Sequence, residues 1–525
     1  MSWNADRARQ RIDKFITEVP EGAIAVQRFS DYRDDRLMKA RAGQMLREKA
    51  GQIEIPRNRV IETHGVHVYA NLMDFNAVLE GIGVETEASH RRALELLNAH
   101  YSACDVLTDQ YGLQRVDFHG SRLHAVVIEP VGNDREAERI EVAIAFSAAF
   151  RRLVAQLGRR HPEFETRVRI GIDSGPAVAI NDGTRSDAEP LFLGSAANHA
   201  AKKAEGNEEG IYFTDRAERA RENGSASSIG PLSFVVESQI LTKYDSARSM
   251  FDRGGPIDEA YKQVEARLAK SDHIPDAPKP AFSFHHKEPP LSDIRFADHP
   301  PSNAIRMELA SIFADIDGFT DYIDRAIASG TIAQAVANLF VIRRELAAVH
   351  QQDFGGRKVR YVGDCLHGVL ASSTSRETDT TGTIDQAVLA MGAMRSSFEL
   401  CKSKLVGIQH LGIAIGTDYG QTPICRIGLR GEASVRIAAS RATCNSETEQ
   451  RRCGGTESAI GQKAHAAARV SVRRMFGHDR RLANLDYLAA QMLLGSVPET
   501  PSNAALAEPA RAHDNAAAPN RSYCD

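Results

Sequence analysis

Two aspartates follow short apolar runs in the second half of the chain. Asp315 follows the run 312–314, and Asp364 follows Gly363 at a predicted turn between two further apolar runs. Strands that lie side by side would bring both carboxylates to one place. Carboxylate oxygens suit hard divalent cations, and such cations bind triphosphates. The two residues therefore predict a metal site for a nucleoside triphosphate.

The strands that must position these carboxylates belong to an internal repeat. Three motifs of the first half recur in the second half at offsets of 244, 243 and 245 residues. We predict two copies of one mixed α/β domain, with strands, helices and a hairpin in the same order. The matching segments are 68–75 with 312–319, 116–126 with 359–369, and two predicted glycine turns, 171–175 with 416–420.

The two copies differ at the positions of the carboxylates. Asn71 stands where the second copy has Asp315, and Ser121 stands where it has Asp364. Neither an amide nor a hydroxyl carries the negative charge that a hard cation prefers. The first copy therefore lacks both candidate metal ligands.

The first copy carries a different candidate on a small-residue helix predicted over 194–205. Asn198 and Lys202 are four residues apart, so they share one face of that helix. The second copy has no Asn in the corresponding stretch 431–441. We interpret the two copies as complementary rather than redundant.

Prolines and composition divide the chain into five predicted regions. Seven prolines between positions 275 and 301 exclude a helix or central strand and indicate a linker. The Ala- and Pro-rich stretch from about 497 is predicted to be disordered. The regions are an N-terminal helical region with a connector (1–64), the first copy (65–240), a helix and linker (241–303), the second copy (304–470), and a C-terminal helix with the tail (471–525).

The composition is that of an ordinary soluble protein. The 525 residues are 42% hydrophobic and 26% charged, with a formal net charge of −4. This balance offers no electrostatic argument for a nucleic acid or a membrane as partner. No apolar run approaches the roughly 18 residues of a membrane span, and the N-terminus has no apolar signal-peptide core. We therefore expect a cytoplasmic protein, consistent with scattered cysteines that form no C-x-x-C pair.

Three motifs together resemble the class III nucleotidyl cyclases. They are Phe-Ala-Asp-Ile-Asp-Gly-Phe-Thr at 313–320, the Gly-Asp hairpin at 363–364, and the helix from Asn198 to Lys202. The resemblance implies an α/β (α+β) fold of two tandem ferredoxin-like domains, each an antiparallel sheet with helices on one face. In this family two cyclase domains pack head to tail, and the active site lies between them.

The resemblance also implies roles for individual residues. Asp315 and Asp364, with the backbone carbonyl of Ile316, would hold two divalent cations, Mn²⁺ or Mg²⁺. Asn198 would orient the ribose, and Lys202 would replace the Arg with which the family stabilises the transition state. Lys keeps the positive charge but loses the bidentate fork of Arg. Candidate helper cations are Arg122, Arg436 and Arg441.

The base pocket departs from the purine codes of the family. Adenine-selecting members use a Lys and an Asp, and guanine-selecting members use a Glu and a Cys. The matching positions here hold Asp117 and Leu191, and the hairpin of the second copy carries Arg360 and Tyr361. The predicted substrate contacts are Asp117, Arg360, Tyr361, Phe319 and Thr320.

A second, shorter similarity suggests the base. The stretch 435–441, with 446–450, is similar to the pyrimidine cyclases of Pycsar antiphage defence systems, which make cyclic UMP or cyclic CMP. It implies conversion of UTP to cyclic UMP and diphosphate, with a cyclic-nucleotide-responsive effector downstream. CTP stays open as substrate, as do an adenylate cyclase with an altered pocket and an inactive nucleotide sensor. The sequence also leaves open whether the copies pair within one chain or in a homodimer.

Each candidate also has a purely structural interpretation. Asp315 and Asp317 could cap the helix that follows them, since Asp is a favoured N-cap residue. Asp364 could be a plain turn residue, and Asn198 and Lys202 could lie on a solvated helix face. We interpret Asp317 as a cap or turn residue. We favour functional roles for the others because they occur together in a repeated domain.

Overall fold

Two seven-stranded sheets, one in each half of the chain, form the framework of the computed structural model. They confirm the predicted α/β fold of two tandem copies. The structure describes residues 2–19, 24–41, 54–55, 59–80, 83–182, 189–222, 256–272, 283–374, 376–428 and 434–495.

The first sheet has the strand order β3-β4-β2-β5-β6, with β1 parallel to β2 and β7 parallel to β5. Its strands are β1 (Ala25–Arg28), β2 (Arg59–Leu72), β3 (Gln114–His119), β4 (Arg122–Val127), β5 (Val168–Asp182), β6 (Glu189–Leu193) and β7 (Gly210–Phe213). The helices of this half are α1 (Ala5–Glu18), α2 (Phe29–Arg41), α3 (Phe75–Leu79), α4 (Glu87–Tyr111), α5 (Glu136–Arg160), α6 (Ser195–Lys203), α7 (Asp215–Glu222) and α8 (Pro256–Asp272).

The second sheet has the strand order β14-β13-β11-β8-β10-β9, with β12 antiparallel to β11. Its strands are β8 (Ile305–Asp317), β9 (Arg357–Val362), β10 (Cys365–Leu370), β11 (Gly412–Ile427), β12 (Val435–Ala438), β13 (Glu457–Ile460) and β14 (Arg481–Ala483). The helices are α9 (Phe319–Ser329), α10 (Ile332–Ala348), α11 (Thr380–Lys404), α12 (Arg441–Arg451), α13 (Gln462–Ala467), α14 (Val470–Phe476) and α15 (Tyr487–Gly495).

The strand pairing repeats from one sheet to the other. The long strands β2 and β5 pair antiparallel, as β8 and β11 do. The hairpin β3–β4 lies beside β2, and the hairpin β9–β10 lies beside β8. β7 and β13 add a parallel strand at equivalent places. The common topology confirms the internal repeat.

Strand alternation separates a core face from a second face that carries the candidate residues. On β8, Ile312, Ala314 and Ile316 belong to the core beneath the helices. Side chains on a strand alternate between its two faces, so Asp315 points away from that core. On β2, Val68 and Ala70 are buried in the core of the first copy, and Asn71 takes the equivalent outward position.

The predicted glycine turns are wrong. Residues 171–175 lie inside the continuous strand β5, and residues 416–420 lie inside β11. A Cβ on Gly171 would collide with the main chain of α6, and one on Gly416 would collide with the main chain of α12. Glycine allows this close approach of two backbones. The repeated glycines therefore mark the places where a helix lies directly on its sheet.

The first sheet also begins earlier than the strand predicted from residue 65. β2 starts at Arg59, and β1 pairs with its first residues, so part of the predicted region 1–64 belongs to this sheet. Val60 and Ile61 are both fully buried and join different core clusters. The start of β2 is covered on both faces, which removes the alternating pattern that identifies a strand from sequence.

The N-terminal segment joins the two copies. Arg11 on α1 forms ion pairs with Glu345 at 2.7 Å and Asp353 at 2.9 Å in the second copy. Trp3 Nε1 donates to Ser397 Oγ at 2.8 Å in the same copy. The following strand, β1, pairs with the first copy. The segment therefore contacts helices of the second copy and the sheet of the first.

Each copy also places apolar side chains in the core of the other. Val178, Ile180 and Leu193 of the first copy belong to the core cluster of the second. Ile427 and Ile437 of the second copy belong to the core cluster of the first. Burying a side chain of this size contributes about 1.5–3 kcal/mol. The packing of the copies against each other within one chain thus has an apolar basis.

Parts of the predicted linker and tail lie outside the described residues. Within the predicted region 241–303, the structure describes α8 and residues 283–303. The tail predicted from about 497 lies wholly outside the described residues. Among the helices that the structure describes, none combines the length and apolar character that a membrane crossing requires.

Candidate active site

Asp315 lies on the outward face of β8, beneath α12. Gln450 Nε2 donates to Asp315 Oδ2 at 3.4 Å. Burial raises the pKa of Asp315 to about 6. The positive charge of Arg451 opposes this shift, and the negative charges of Asp317 and Glu447 add to it. A bound cation would supply positive charge that stabilises the ionised form of this carboxylate.

Asp364 is the second residue of the two-residue turn between β9 and β10. Gly363 in that turn has a φ of +62°, a conformation that favours glycine. Burial raises the pKa of Asp364 well above the usual range, and the negative charge of Asp315 raises it further. Hydrogen bonds from the backbone of Asp364 itself and of Ile316 act in the opposite direction. The structure thus brings together the three residues that were predicted as metal ligands.

The chemistry of these groups fits a hard divalent cation. All the donor atoms are oxygens, and two neighbouring carboxylates repel each other unless a cation lies between them. Asp317 stands apart, because its Oδ2 accepts from the backbone N–H of Gly455 at 3.0 Å. In the described part of the chain, no three or more His, Cys, Asp or Glu side chains cluster as a metal site. A cation here would therefore complete its shell with water or substrate phosphate.

The segment after β8 leads directly into the other half of the site. Gly318, with a φ of +81°, turns the chain into α9. Phe319 is buried in the core of the second copy. The next residue, Thr320, accepts a hydrogen bond at Oγ1 from the amide Nδ2 of Asn198 in the first copy. One residue of α9 is thus in direct contact with the predicted ribose-orienting residue.

Asn198 and Lys202 lie one turn apart on α6, and both side chains are exposed. The helix can lie against β5 because Gly171 leaves room for its backbone. Asn198 reaches Thr320, whereas Lys202 lies further along the helix, away from this contact. Both halves of the candidate site come from one chain in this structure.

A pocket between the two copies contains residues from both halves of the candidate site. The second copy contributes Phe319, Thr320, Ile323, Gly363 and Asp364. The first copy contributes Tyr69, Val116, Asp117, His119, His124, Leu191, Phe192, Leu193, Gly194, Ala197 and Asn198. The pocket therefore joins one of the candidate metal ligands to the helix that carries Asn198.

Two predicted base contacts are bound to each other. Asp117 and Arg360 form an ion pair across the two copies, and Arg360 also donates to the main-chain oxygen of Phe118. His119 Nε2 lies 3.1 Å from Asp117 Oδ2. Burial lowers the pKa of His119 to about 4, so its ring is neutral at pH 7. Arg360, Asp117 and His119 thus form a bridge between the copies at the border of the pocket.

Tyr361 does not belong to this bridge, which corrects its predicted role as a substrate contact. Neighbouring residues on a strand point to opposite faces, so Arg360 and Tyr361 diverge. The Tyr361 hydroxyl donates to the main-chain oxygen of Arg343 at 2.6 Å. The Arg343 guanidinium lies 3.7 Å from the centre of the Tyr361 ring. Tyr361 is part of the core of the second copy.

Sequence reasoning missed aromatic residues of the pocket, among them His119 and Tyr69. His119 is two residues after Asp117 and therefore on the same strand face, a signal that period-two alternation could have supplied. Tyr69 stacks on His124, with ring centroids 4.3 Å apart and an interplanar angle of 16°. Tyr69 also packs against Ala197 of α6. No local signal identifies Tyr69, because its neighbours come from distant elements.

The cation beside Asp315 was also not predicted. Arg451 forms ion pairs with Glu447 and with Glu205 of the first copy, each at 2.6 Å. Arg122, one of the predicted helpers, approaches the same Glu205 at 3.5 Å. Glu205 therefore connects arginines of both copies near the metal-ligand strand. Only the contact between the two copies reveals this arrangement.

Comparisons with known proteins support this description. The family described as "Adenylate and Guanylate cyclase catalytic domain" matches residues 69–228. A uridylate cyclase of a Rhizobium species is 44% identical over 510 residues, covering 95% of this chain and 97% of that protein. A uridylate cyclase of Pseudomonas aeruginosa is 35% identical over 516 residues, covering 97% of this chain and 94% of that protein.

A solved structure agrees with the fold over nearly the whole chain. The crystal structure of a class III adenylyl cyclase-like ATP-binding protein from Pseudomonas aeruginosa has a TM-score of 0.81 and 33% identity. It covers 94% of this chain and 100% of its own. The family match lies in the first copy, whereas these relatives span both copies. The chain belongs to the class III nucleotidyl cyclases, and it is a nucleotide cyclase.

Proposed function

We propose that this nucleotide cyclase converts UTP to 3′,5′-cyclic UMP and diphosphate. The observation that carries the proposal is the meeting of two half-sites. Asp315 and Asp364 come from one copy, and Asn198 comes from the other and contacts Thr320 beside the carboxylates. The choice of UTP is supported by two relatives named uridylate cyclase that align over nearly the whole chain.

The carboxylates would bind two divalent cations, Mn²⁺ or Mg²⁺. Asp315, Asp364 and the backbone carbonyl of Ile316 would hold them. When bound, such ions lower the pKa of the ribose 3′-hydroxyl and neutralise the departing diphosphate. Both carboxylates must be ionised to bind a cation. Because the pKa of Asp315 is raised to about 6, the cation-binding form increases as pH rises through that value.

The remaining groups would orient the nucleotide and stabilise charge. The 3′-oxygen forms a bond to the α-phosphorus, the bond from that phosphorus to the diphosphate oxygen breaks, and the hydroxyl proton leaves to solvent. Asn198 would hold the ribose, and Lys202 would face the charge that develops on the α-phosphate. Backbone N–H groups of Phe319 and Thr320, at the start of α9, would bind triphosphate oxygens.

The border of the pocket supports a pyrimidine base. The positions that select a purine base in this family hold Asp117 and Leu191 here. The Asp117 carboxylate already forms an ion pair with Arg360. His119 is neutral at pH 7, and its Nε2 donates to Asp117 because a carboxylate can only accept. The other ring nitrogen is then an acceptor. An acceptor matches the N3–H of uracil, whereas N3 of cytosine carries no proton.

A substrate screen tests the proposal. The purified protein would be incubated with each of the four ribonucleoside triphosphates and Mn²⁺, and cyclic product and diphosphate would be identified by mass spectrometry. We expect cyclic UMP from UTP. Cyclic CMP or cyclic AMP as the only product would overturn the choice of UTP. Absence of product from all four nucleotides would leave a nucleotide sensor that has lost catalysis.

We further propose that cyclic UMP signals to a cyclic-nucleotide-responsive effector in antiphage defence. This proposal rests on the similarity of residues 435–441 and 446–450 to Pycsar cyclases. Bacteria that express a candidate effector with either the wild-type cyclase or Asp315→Ala would be infected with phage. We expect fewer plaques, and a rise in cyclic UMP, only with the wild-type protein. Equal plaque numbers for both proteins would contradict a defence role.

A further inference from the structure

The helix that carries Asn198 and Lys202 begins without a side-chain cap of its own. α6 starts at Ser195, and the preceding Gly194 has a φ of +138°. A Cβ on Gly194 would lie 2.8 Å from the main-chain oxygen of Pro176, so a residue with a capping side chain does not fit there. The N–H groups at a helix start need acceptors.

A carboxylate of the other copy supplies one such acceptor. The Ser195 N–H donates to Asp324 Oδ1 at 3.0 Å. Asp324 lies on α9 four residues after Thr320, so the two residues share one helix face. Thr320 accepts from Asn198. One face of α9 therefore holds both the start of α6 and its proposed catalytic amide.

α9 also links this contact to the metal-ligand strand. It begins immediately after β8, which carries Asp315, with Gly318 as the connecting residue. A shift of α6 away from α9 would separate Asn198 from the carboxylates. Asp324 lies more than one helical turn beyond Thr320. Its hydrogen bond is therefore made to α6, not to the predicted nucleotide contacts Phe319 and Thr320.

At the start of α12 in the second copy, a carboxylate of the first copy makes the corresponding contact, and this helix also has a cap of its own. The N–H of Arg441, at the start of α12, donates to Glu85 Oε1 of the first copy at 2.7 Å. Here the helix also has its own cap, because Ser440 Oγ accepts from the Thr443 N–H at 3.1 Å. The start of α12 does not carry Asn198 or Lys202. Glu85 therefore provides a matched interface contact at a helix that carries neither Asn198 nor Lys202.

We propose that Asp324 is a positioning residue for cyclisation. It docks α6 across the two copies so that Asn198 and Lys202 meet the nucleotide bound at Asp315 and Asp364. The inference rests on the proposed function of those four residues. A carboxylate at a helix N-terminus is favoured both by its hydrogen bond and by the helix dipole.

Kinetics distinguish positioning from general stabilisation of the interface. Asp324→Ala should lower kcat about fivefold to tenfold, the scale of a lost N-cap, and leave KM within about twofold. Asp324→Asn keeps an acceptor oxygen and should recover kcat to within about threefold of the wild-type value. Glu85→Ala should lower kcat less than Asp324→Ala does, because the start of α12 keeps its own cap at Ser440. Adding Asp324→Ala to Asn198→Ala should cause a smaller further loss than Asp324→Ala causes in the wild type, because part of the effect of Asp324 acts through Asn198.

Hydrogen exchange tests the docking without turnover. In Asp324→Ala, the peptide spanning residues 190–204 should exchange faster than in the wild type, and in Glu85→Ala it should not. Unchanged exchange in Asp324→Ala would overturn the docking contact. Equal kcat losses in Asp324→Ala and Glu85→Ala, or additive losses with Asn198→Ala, would overturn the positioning role. A wild-type protein that cyclises no nucleotide would overturn the proposed function instead, while the exchange result would still stand.

Discussion

The two copies share one topology but differ in charge at one equivalent location. There the second copy has two carboxylates, and the first has an amide and a hydroxyl. In the second copy, Asp315 and Asp364 are two carboxylates whose pKa values are both raised, and the charge of Asp315 adds to the shift at Asp364. In the first copy, Ser121 Oγ donates to Asn71 Oδ1 at 3.3 Å in the equivalent place. A neutral hydrogen bond there needs no cation. Two residue differences thus replace the proposed cation site with a self-contained polar pair without changing the strands around it.

The helices that lie on the two sheets differ in the opposite way, because here the first copy carries the candidate residues and the second copy lacks them. Close contacts of α6 with Gly171 and of α12 with Gly416 align the two helices. In that alignment, Cys444 takes the position of Asn198, and Thr448 takes the position of Lys202, so the correspondence with 431–441 that the sequence suggested is wrong. Each copy therefore lacks what the other has. The proposed site therefore combines groups of both copies, and the equivalent location on the other side of the interface has neither set of groups.

The sharpest test of this division compares equivalent hairpin positions. Asp364→Ala should lower kcat/KM for UTP on the order of 1,000-fold, because a metal site stabilises several kcal/mol of transition-state charge. Ser121→Ala in the other copy should stay within about twofold of wild type. Cyclic UMP formation with Mn²⁺ measures both. A comparable loss in Ser121→Ala would show that both copies contribute to catalysis at these positions.

A second test compares neighbouring cations on α6. Lys202→Ala should lower kcat about 100-fold, the scale of one lost donor to developing negative charge. Lys203→Ala changes the same helix and the same net charge, but faces another direction. It should retain kcat within about twofold, measured under saturating UTP. Equal effects of the two substitutions would assign the loss to general electrostatics rather than to the position of Lys202.

Removing the ion pair between Arg360 and Asp117 should have a smaller effect, on KM rather than on kcat. Arg360→Ala removes the partner of Asp117 and should raise KM for UTP about tenfold, because a partly buried carboxylate at the pocket border loses its ion pair. Tyr361→Phe, one residue later, removes only a core hydrogen bond. It should leave KM unchanged and lower the free energy of unfolding by about 1 kcal/mol. An unchanged KM in Arg360→Ala would remove the bridge from substrate binding.

The smallest expected effect concerns stability without metal. The pKa of Asp315 in the folded protein, about 6, lies above its ordinary value, so the associated stability is present at low pH and lost as pH rises through 6. In EDTA at pH 7.5, Asp315→Asn should therefore be more stable than wild type by about 1–2 kcal/mol. Near pH 4 the difference should vanish.

The equivalent position of the first copy provides the reverse change. Asn71→Asp introduces a carboxylate beside Ser121 and should lower stability at pH 7.5, with less effect near pH 4. Urea denaturation at both pH values measures the two variants. A pH-independent difference for Asp315→Asn, or an unchanged stability of Asn71→Asp, would show that the buried charge does not control stability at this location.

Several features were predicted from sequence because their signals are local. The repeat, the hairpins and the strand that ends near Asp315 follow from alternation of apolar residues and from turn chemistry. The glycines at 171 and 416 were misinterpreted because their reason is a helix that packs on them from a distant part of the chain. Tyr361 was misassigned because its partner, Arg343, lies on helix α10, 18 residues earlier in the chain.

The sequence by itself determined the tandem copies, the pair Asp315 and Asp364, and the separation of these carboxylates from Asn198 and Lys202. Residue type and spacing encode such features within one copy. The tertiary structure alone decided that Asn198 of the first copy contacts Thr320 of the second, and that the Ser195 N–H donates to Asp324. Contacts between the copies depend on how the two sheets pack against each other. Residues that meet in this way lie far apart in the chain, so no fixed sequence spacing identifies them.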